Sequence, residues 1–145
     1  MNIKKNLLLN PIHQPIVRPF GKRLYQLWEE YRLDDVEVKI DRLFVFDGAS
    51  IPRVLWFFVG SRYLPKYMLP ALVHDFLLRD GRLGRLGADR QFKKYLRLNG
   101  VGLLLSELLF IGVRLGSWVG WNKYRKLQRE GGDPVYALYR SKVSR

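Results

Sequence analysis

The side chains whose type and spacing could do chemistry are few. The chain has no cysteine and two histidines, His13 and His74, in 145 residues. That removes disulfides, thiolate metal centres, cysteine nucleophiles and any multi-histidine metal site. His74 is followed at once by Asp75, in an otherwise apolar run containing Ala71, Leu72, Val73, Phe76, Leu77 and Leu78. At helical spacing these apolar residues cover nearly the whole circumference, the signature of a central helix. An ionisable pair on such a helix is costly to bury unless it is hydrogen-bonded or bound to a metal. Two readings follow. In one, His74 and Asp75 serve a reaction. In the other, His74 makes a structural hydrogen bond and Asp75 pairs with Arg79 one turn on.

Asp89 stands at the border of the apolar arc of a second amphipathic helix. A short Gly/Arg connector, residues 82–87, would fold this helix back on the first, so contact between His74 and Asp89 is geometrically allowed. A carboxylate so placed fixes the tautomer of a histidine base and stabilises its imidazolium. The plainer alternative is an acid serving the N-terminal end of its helix. On the opposite arc, Arg90, Lys93, Lys94 and Arg97 form a basic face suited to phosphate or to plain solvation. A third element is the loop Asp47-Gly48-Ala49-Ser50-Ile51-Pro52. It can aim carbonyls and a carboxylate at a hard cation, or simply close an Asx-type turn.

The elements that must position these groups predict an α+β fold in a single domain. Val36, Val38 and Ile40 alternate with Glu37, Lys39 and Asp41, a strand pattern, and Asp34-Asp35 makes a turn before it. Residues 24–33 are read as a strand pairing with 36–40, and 43–46 as a further short strand. A helix is predicted from Pro70 to about Arg79, stopped by Asp80-Gly81. A second covers about 88–98, capped by Asn99-Gly100, and a long one follows. A small N-terminal antiparallel hairpin or sheet therefore packs on a three-helix bundle. The core spans 24–122, between a basic arm at 1–23 and a basic tail at 123–145.

Charge is the dominant bulk property. Lys and Arg number 26 against 13 acids, a net charge of +13. Only residues 24–48 are acidic on balance, with seven acids and three bases. Such a surface seeks phosphate, in lipid headgroups or nucleic acid. No recognised nucleic-acid motif accompanies the basic face, so nucleic acid is not the favoured partner. Residues 101–121 are long enough to cross a bilayer, yet Glu107, Arg114 and several glycines dilute them. Gly112, Gly116 and Gly120 line one helical face, which favours close packing of a buried or interfacial helix. The apolar run Leu7-Leu8-Leu9 is too short for a signal-peptide core. The expected location is the cytoplasm, peripheral to membrane.

The three motifs, Asp47-Gly48-Ala49-Ser50-Ile51-Pro52, His74-Asp75-Phe76-Leu77 and Ala88-Asp89-Arg90-Gln91-Phe92, precede an apolar helix containing Val113-Arg114-Leu115-Gly116. In that order, over about residues 35–117, they resemble a phage and prophage domain family of unknown function, a resemblance that implies a location in the host cytoplasm or a virion. More distantly the set is similar to bacterial secreted phospholipase A2, which has a calcium loop, a His-Asp pair on a buried helix and an Asp-x-x-Phe on its partner. This second resemblance implies His74 as general base and Asp89 as its orienting carboxylate. It implies calcium held by Asp75 with the Asp47, Gly48 and Ser50 loop, stabilising an oxyanion and lipid phosphate. Trp56, Phe57 and Phe58 would be anchors in an anionic membrane surface, with Arg90, Lys93, Lys94 and Arg97 on phosphate. The departures are the missing cysteines, Ala49 where a disulfide cysteine would sit, and a long aromatic, proline-containing stretch between loop and His-Asp pair. Two functions are thus expected: a calcium-dependent ester hydrolase at a membrane or cell envelope, or a non-enzymatic phage tail, neck or baseplate component bound to other phage proteins.

Overall fold

The computed structural model describes residues 13–22, 24–47 and 65–143. The loop residues Gly48 and Ser50 and the aromatic cluster Trp56, Phe57 and Phe58 lie outside them. Among the described residues five short strands come first: β1 (Val17–Pro19), β2 (Tyr25–Leu27), β3 (Tyr31–Leu33), β4 (Val38–Ile40) and β5 (Val45–Phe46). Four described helices follow: α1 (Pro65–Asp80), α2 (Gly84–Leu98), α3 (Leu103–Arg129) and α4 (Ala137–Val143). The arrangement is α+β, small antiparallel sheets against three long helices, as the patterning predicts.

The strand region divides differently from its prediction. Residues 24–33 form two strands with a bend between them. Of the two, β3 pairs with β4, Leu33 opposite Val38, across a 3-10 turn at Asp34–Val36. Tyr25–Leu27 instead sits between β1 and β5 in a separate three-stranded sheet. Leu27 and Leu33 both point into the core, as do Val38, Ile40, Phe44 and Phe46. Their even spacing would suit one straight strand, but the bend at 28–30 gives each half its own partners, β1 and β5 for β2 and β4 for β3. The basic arm also contributes structure, since β1 lies within residues 1–23.

The helices begin earlier and run longer than their sequence signals suggest. α1 starts at Pro65, not Pro70, and Pro70 sits buried inside it. Proline suits a first turn, and the second proline is retained because the surrounding apolar faces pack into the core. α1 carries the centre of that core in Leu69, Leu72, Val73 and Leu77, each fully buried. Gly81 ends it at φ 84°, donating its N–H to Leu77 O at 2.9 Å. A Cβ at Gly81 would overlap the Arg125 guanidinium, which reaches the carbonyls of Leu78, Arg79 and Asp80 and closes the helix end. α2 takes in residues 84–87, most of the Gly/Arg connector, and begins at Gly84, not 88. α3 runs unbroken through 122–123 into the basic tail. Of its glycines, Gly120 approaches Leu78, while a side chain at Gly116 would meet open space.

α1 packs chiefly on α2, and α2 on α3. Arg97 meets Glu107, Lys93 meets Glu107 and Phe110, Asp89 meets Arg114 and Ser117, and Arg85 reaches Ser117. Descending numbers on α2 meet ascending numbers on α3, so the two helices are antiparallel.

Candidate active site

His74 leaves the middle of α1 on the side facing α2, and Asp89 leaves the first turns of α2 to meet it. His74 Nε2 lies 2.6 Å from Asp89 Oδ1. The connector between the helices is only a few residues long, so the end of one and the start of the other are held side by side. Phe92, one turn beyond Asp89, lies against the imidazole with ring centroids 5.3 Å apart. The contact that the sequence leaves open is therefore formed.

Asp89 is wholly buried, at 0% exposure. Its second oxygen accepts from Arg114 at 2.7 Å and from Ser117 Oγ at 3.0 Å, both on α3. Arg85 donates to Arg114 O at 2.7 Å, steadying the same turn of α3. Burial alone would push the Asp89 carboxyl up. The hydrogen bonds from His74, Arg114 and Ser117 outweigh it and hold the group below the ordinary aspartate range. Asp89 is therefore ionised at neutral pH, so Nε2 of a neutral His74 must carry the proton in this contact. The lone pair is then on Nδ1, and the imidazole keeps 15% of its side-chain surface open to solvent. A base with a fixed tautomer, a buried counter-charge and a ring partly open to solvent is the chemical capability of this arrangement.

Asp75 points elsewhere. Its Oδ2 accepts from Arg79 at 2.7 Å, the i,i+4 pair that the sequence offers as the structural alternative. Arg79 also donates to Val45 O at 2.6 Å, and its guanidinium lies over the rings of Phe44 and Tyr124. The arginine is 1% exposed. Burial pushes Asp75 up to about 6, Arg79 opposes the shift, and exposed Asp47 adds to it. For the guanidinium, burial works against the charge, but Asp75, Tyr124 and Asp47 outweigh it and raise the group above its ordinary value.

These facts bear on the calcium set Asp75, Asp47, Gly48 and Ser50. A calcium ligand must be an ionised or carbonyl oxygen free to face the ion. Asp75 already has a buried cation on one oxygen and favours its proton more than a free carboxylate does. Among the described residues no group of three or more His, Cys, Asp or Glu side chains is placed to hold a metal ion. Of the set, Asp75 is committed to Arg79, Asp47 is exposed, and Gly48 and Ser50 lie outside the described residues.

On the basic face, three of the four cations have acidic partners. Lys93 and Arg97 pair with Glu107, and Lys94 pairs with Asp35 at 2.5 Å, while Arg90 is exposed. The face is a seam joining α2 to α3 and to the β3–β4 hairpin more than an open phosphate cradle. Sequence reasoning misses Arg114 and Ser117 as site residues. The signal was present: Arg114 is a lone charge in an apolar window, the same anomaly that singles out His74.

Residues 25–113, from β2 into α3, match a family described as "Protein of unknown function (DUF1353)". No curated protein matches the chain, and no solved structure does. The matched span is well over half of the 145 residues and contains His74, Asp75 and Asp89, and on that ground the chain belongs to the DUF1353 family.

Proposed function

We propose that this chain is a hydrolase of esters that uses His74 as a general base, in the manner of phospholipase A2 but without a resident calcium ion. The observation that carries the reading is the 2.6 Å contact between His74 Nε2 and a fully buried, ionised Asp89. His74 Nδ1 takes a proton from water, whose oxygen attacks the ester carbonyl. Asp89 stabilises the imidazolium without itself becoming protonated. The proton then passes from Nδ1 to the leaving alkoxide, giving a carboxylic acid and an alcohol. A phage- or prophage-type origin is part of the proposal and rests on the resemblance of the three motifs.

The test is fatty-acid release from phosphatidylglycerol vesicles and cleavage of a soluble short-chain ester. Wild type should exceed buffer with either substrate. His74→Gln and Asp89→Asn should each lower the rate by about 10²–10⁴-fold, with melting curves confirming the fold. No turnover by folded wild type, or undiminished turnover in His74→Gln, overturns the proposal.

One observation favours a second reading, a non-enzymatic phage virion component. Asp89 bonds to α1 and α3 from its place on α2, so it clasps all three long helices. In that reading the substitutions lower the melting temperature and wild type turns over neither substrate.

A further inference from the structure

α3 has two unlike faces, and one of them is covered by nothing among the described residues. Leu104, Leu108, Ile111, Leu115, Trp118 and Val119 recur at helical spacing and are all exposed, Leu104 at 76% and Leu115 at 78%. α3 is also the one described helix long and apolar enough to cross a membrane. Its two charges between 103 and 122 are both drawn to the other side. Glu107 meets Lys93 and Arg97, and Arg114 meets Asp89. The outer face is thus free of charge for about five turns, then continues into Lys123, Lys126 and Arg129, all exposed. No acidic residue occurs from 108 to 129.

We infer that this face lies flat on an anionic lipid bilayer, with α3 parallel to the membrane plane. A spanning orientation is ruled out by α2, which runs antiparallel along the same stretch of α3. Spanning would draw the exposed Arg90 and the partly exposed Lys94 and Arg97 into hydrocarbon. A flat orientation buries only the apolar stripe and leaves α2 above it. Charge selects the partner. A second copy would bring another net charge of +13 against the first. An anionic surface attracts the same charges, particularly the lysines continuing the stripe. Trp118 adds an amphipathic ring of the kind enriched at the headgroup level. The surface differs from the one expected from sequence, which relied on Trp56, Phe57, Phe58 and the basic face of α2. Docking requires no turnover, so it stands or falls apart from the hydrolytic reading.

The test is flotation of the full chain with vesicles of phosphatidylcholine alone or with a third phosphatidylglycerol. The mixed vesicles should bind at least tenfold more tightly than phosphatidylcholine alone. The double substitution Leu115→Glu and Trp118→Glu, at exposed positions, should weaken binding at least tenfold with an unchanged melting temperature. Lys123→Gln with Lys126→Gln should weaken only the phosphatidylglycerol-dependent part. Absence of vesicle binding, or binding unaffected by the two glutamates, overturns the inference. So does a dimer on size-exclusion light scattering that the glutamates dissociate, since the stripe would then be a contact between copies.

Discussion

His74 and Asp75 are adjacent in sequence and opposite in circumstance. His74 faces α2, donates to a carboxylate held by α3 and keeps part of its ring open to solvent. Asp75 faces the strands, where Arg79 ties it to Val45 O under the rings of Phe44 and Tyr124. Both clusters pair a buried ionisable group with an opposite charge. They differ in what remains free. The first leaves the second ring nitrogen of His74 outside the contact with Asp89 and part of the ring open to solvent. The second encloses its guanidinium within the core and joins α1 to β5. Under the proposed function, one residue of the helix does chemistry while the next fastens the fold, and the adjacent pair carries two separate roles.

The comparison can be broken most forcefully at the closed cluster. Arg79→Met leaves Asp75 without its buried partner and should cost about 3–5 kcal/mol, lowering the melting temperature on the order of 10 °C. Adding Asp75→Leu should recover part of that loss, as removal of both charges is less costly than removal of one. At the open cluster Asp89→Asn should cost about 2 kcal/mol, because Arg114 and His74 lose a charged acceptor. His74→Gln should cost about 1 kcal/mol and leave a folded chain, so loss of hydrolysis there can be separated from loss of fold.

Acidity sharpens the contrast by moving the clusters in opposite directions. Asp75 titrates near 6 in the folded chain, above its ordinary value of 3.8. Its contribution to stability is therefore fully present below the unfolded value and is lost as pH rises through about 6. Thermal melts from pH 7 to pH 5 should show a gain for wild type that Asp75→Asn lacks. Asp89 is depressed, so its contribution is present above the ordinary aspartate value and disappears as pH falls through the folded one. The gap between wild type and Asp89→Asn should accordingly close in strong acid. The smallest expected effect is that of calcium: millimolar ion should not shift the melting curve of wild type or Asp75→Asn. A saturable shift in wild type alone would return Asp75 to a metal site.

Local patterns carried the fold class. The alternation at 36–40 marks β4, and the apolar circumference of α1 marks its burial. The same reasoning made the His74–Asp89 contact geometrically allowed and offered Arg79 as a partner for Asp75. What escaped it depends on packing between distant segments. The partition of residues 24–33 between two sheets depends on which separate strands pair with each half, β1 and β5 with one and β4 with the other, and no feature of those ten residues states it. Helix starts at Pro65 and Gly84 are set by neighbours that offset Pro70 in α1 and two glycines in α2. Arg114 and Ser117 are 25 and 28 residues from Asp89, and only the antiparallel register of α2 on α3 brings them together.

The central claim is that His74 stands as a base with its free lone pair on Nδ1, and the most direct measurement is the 15N NMR spectrum of its ring at a pH where it is neutral. The account predicts the Nε2–H tautomer, with an unprotonated Nδ1, and a loss of that preference in Asp89→Asn. An Nδ1–H tautomer in wild type, or a tautomer balance indifferent to Asp89→Asn, would contradict it.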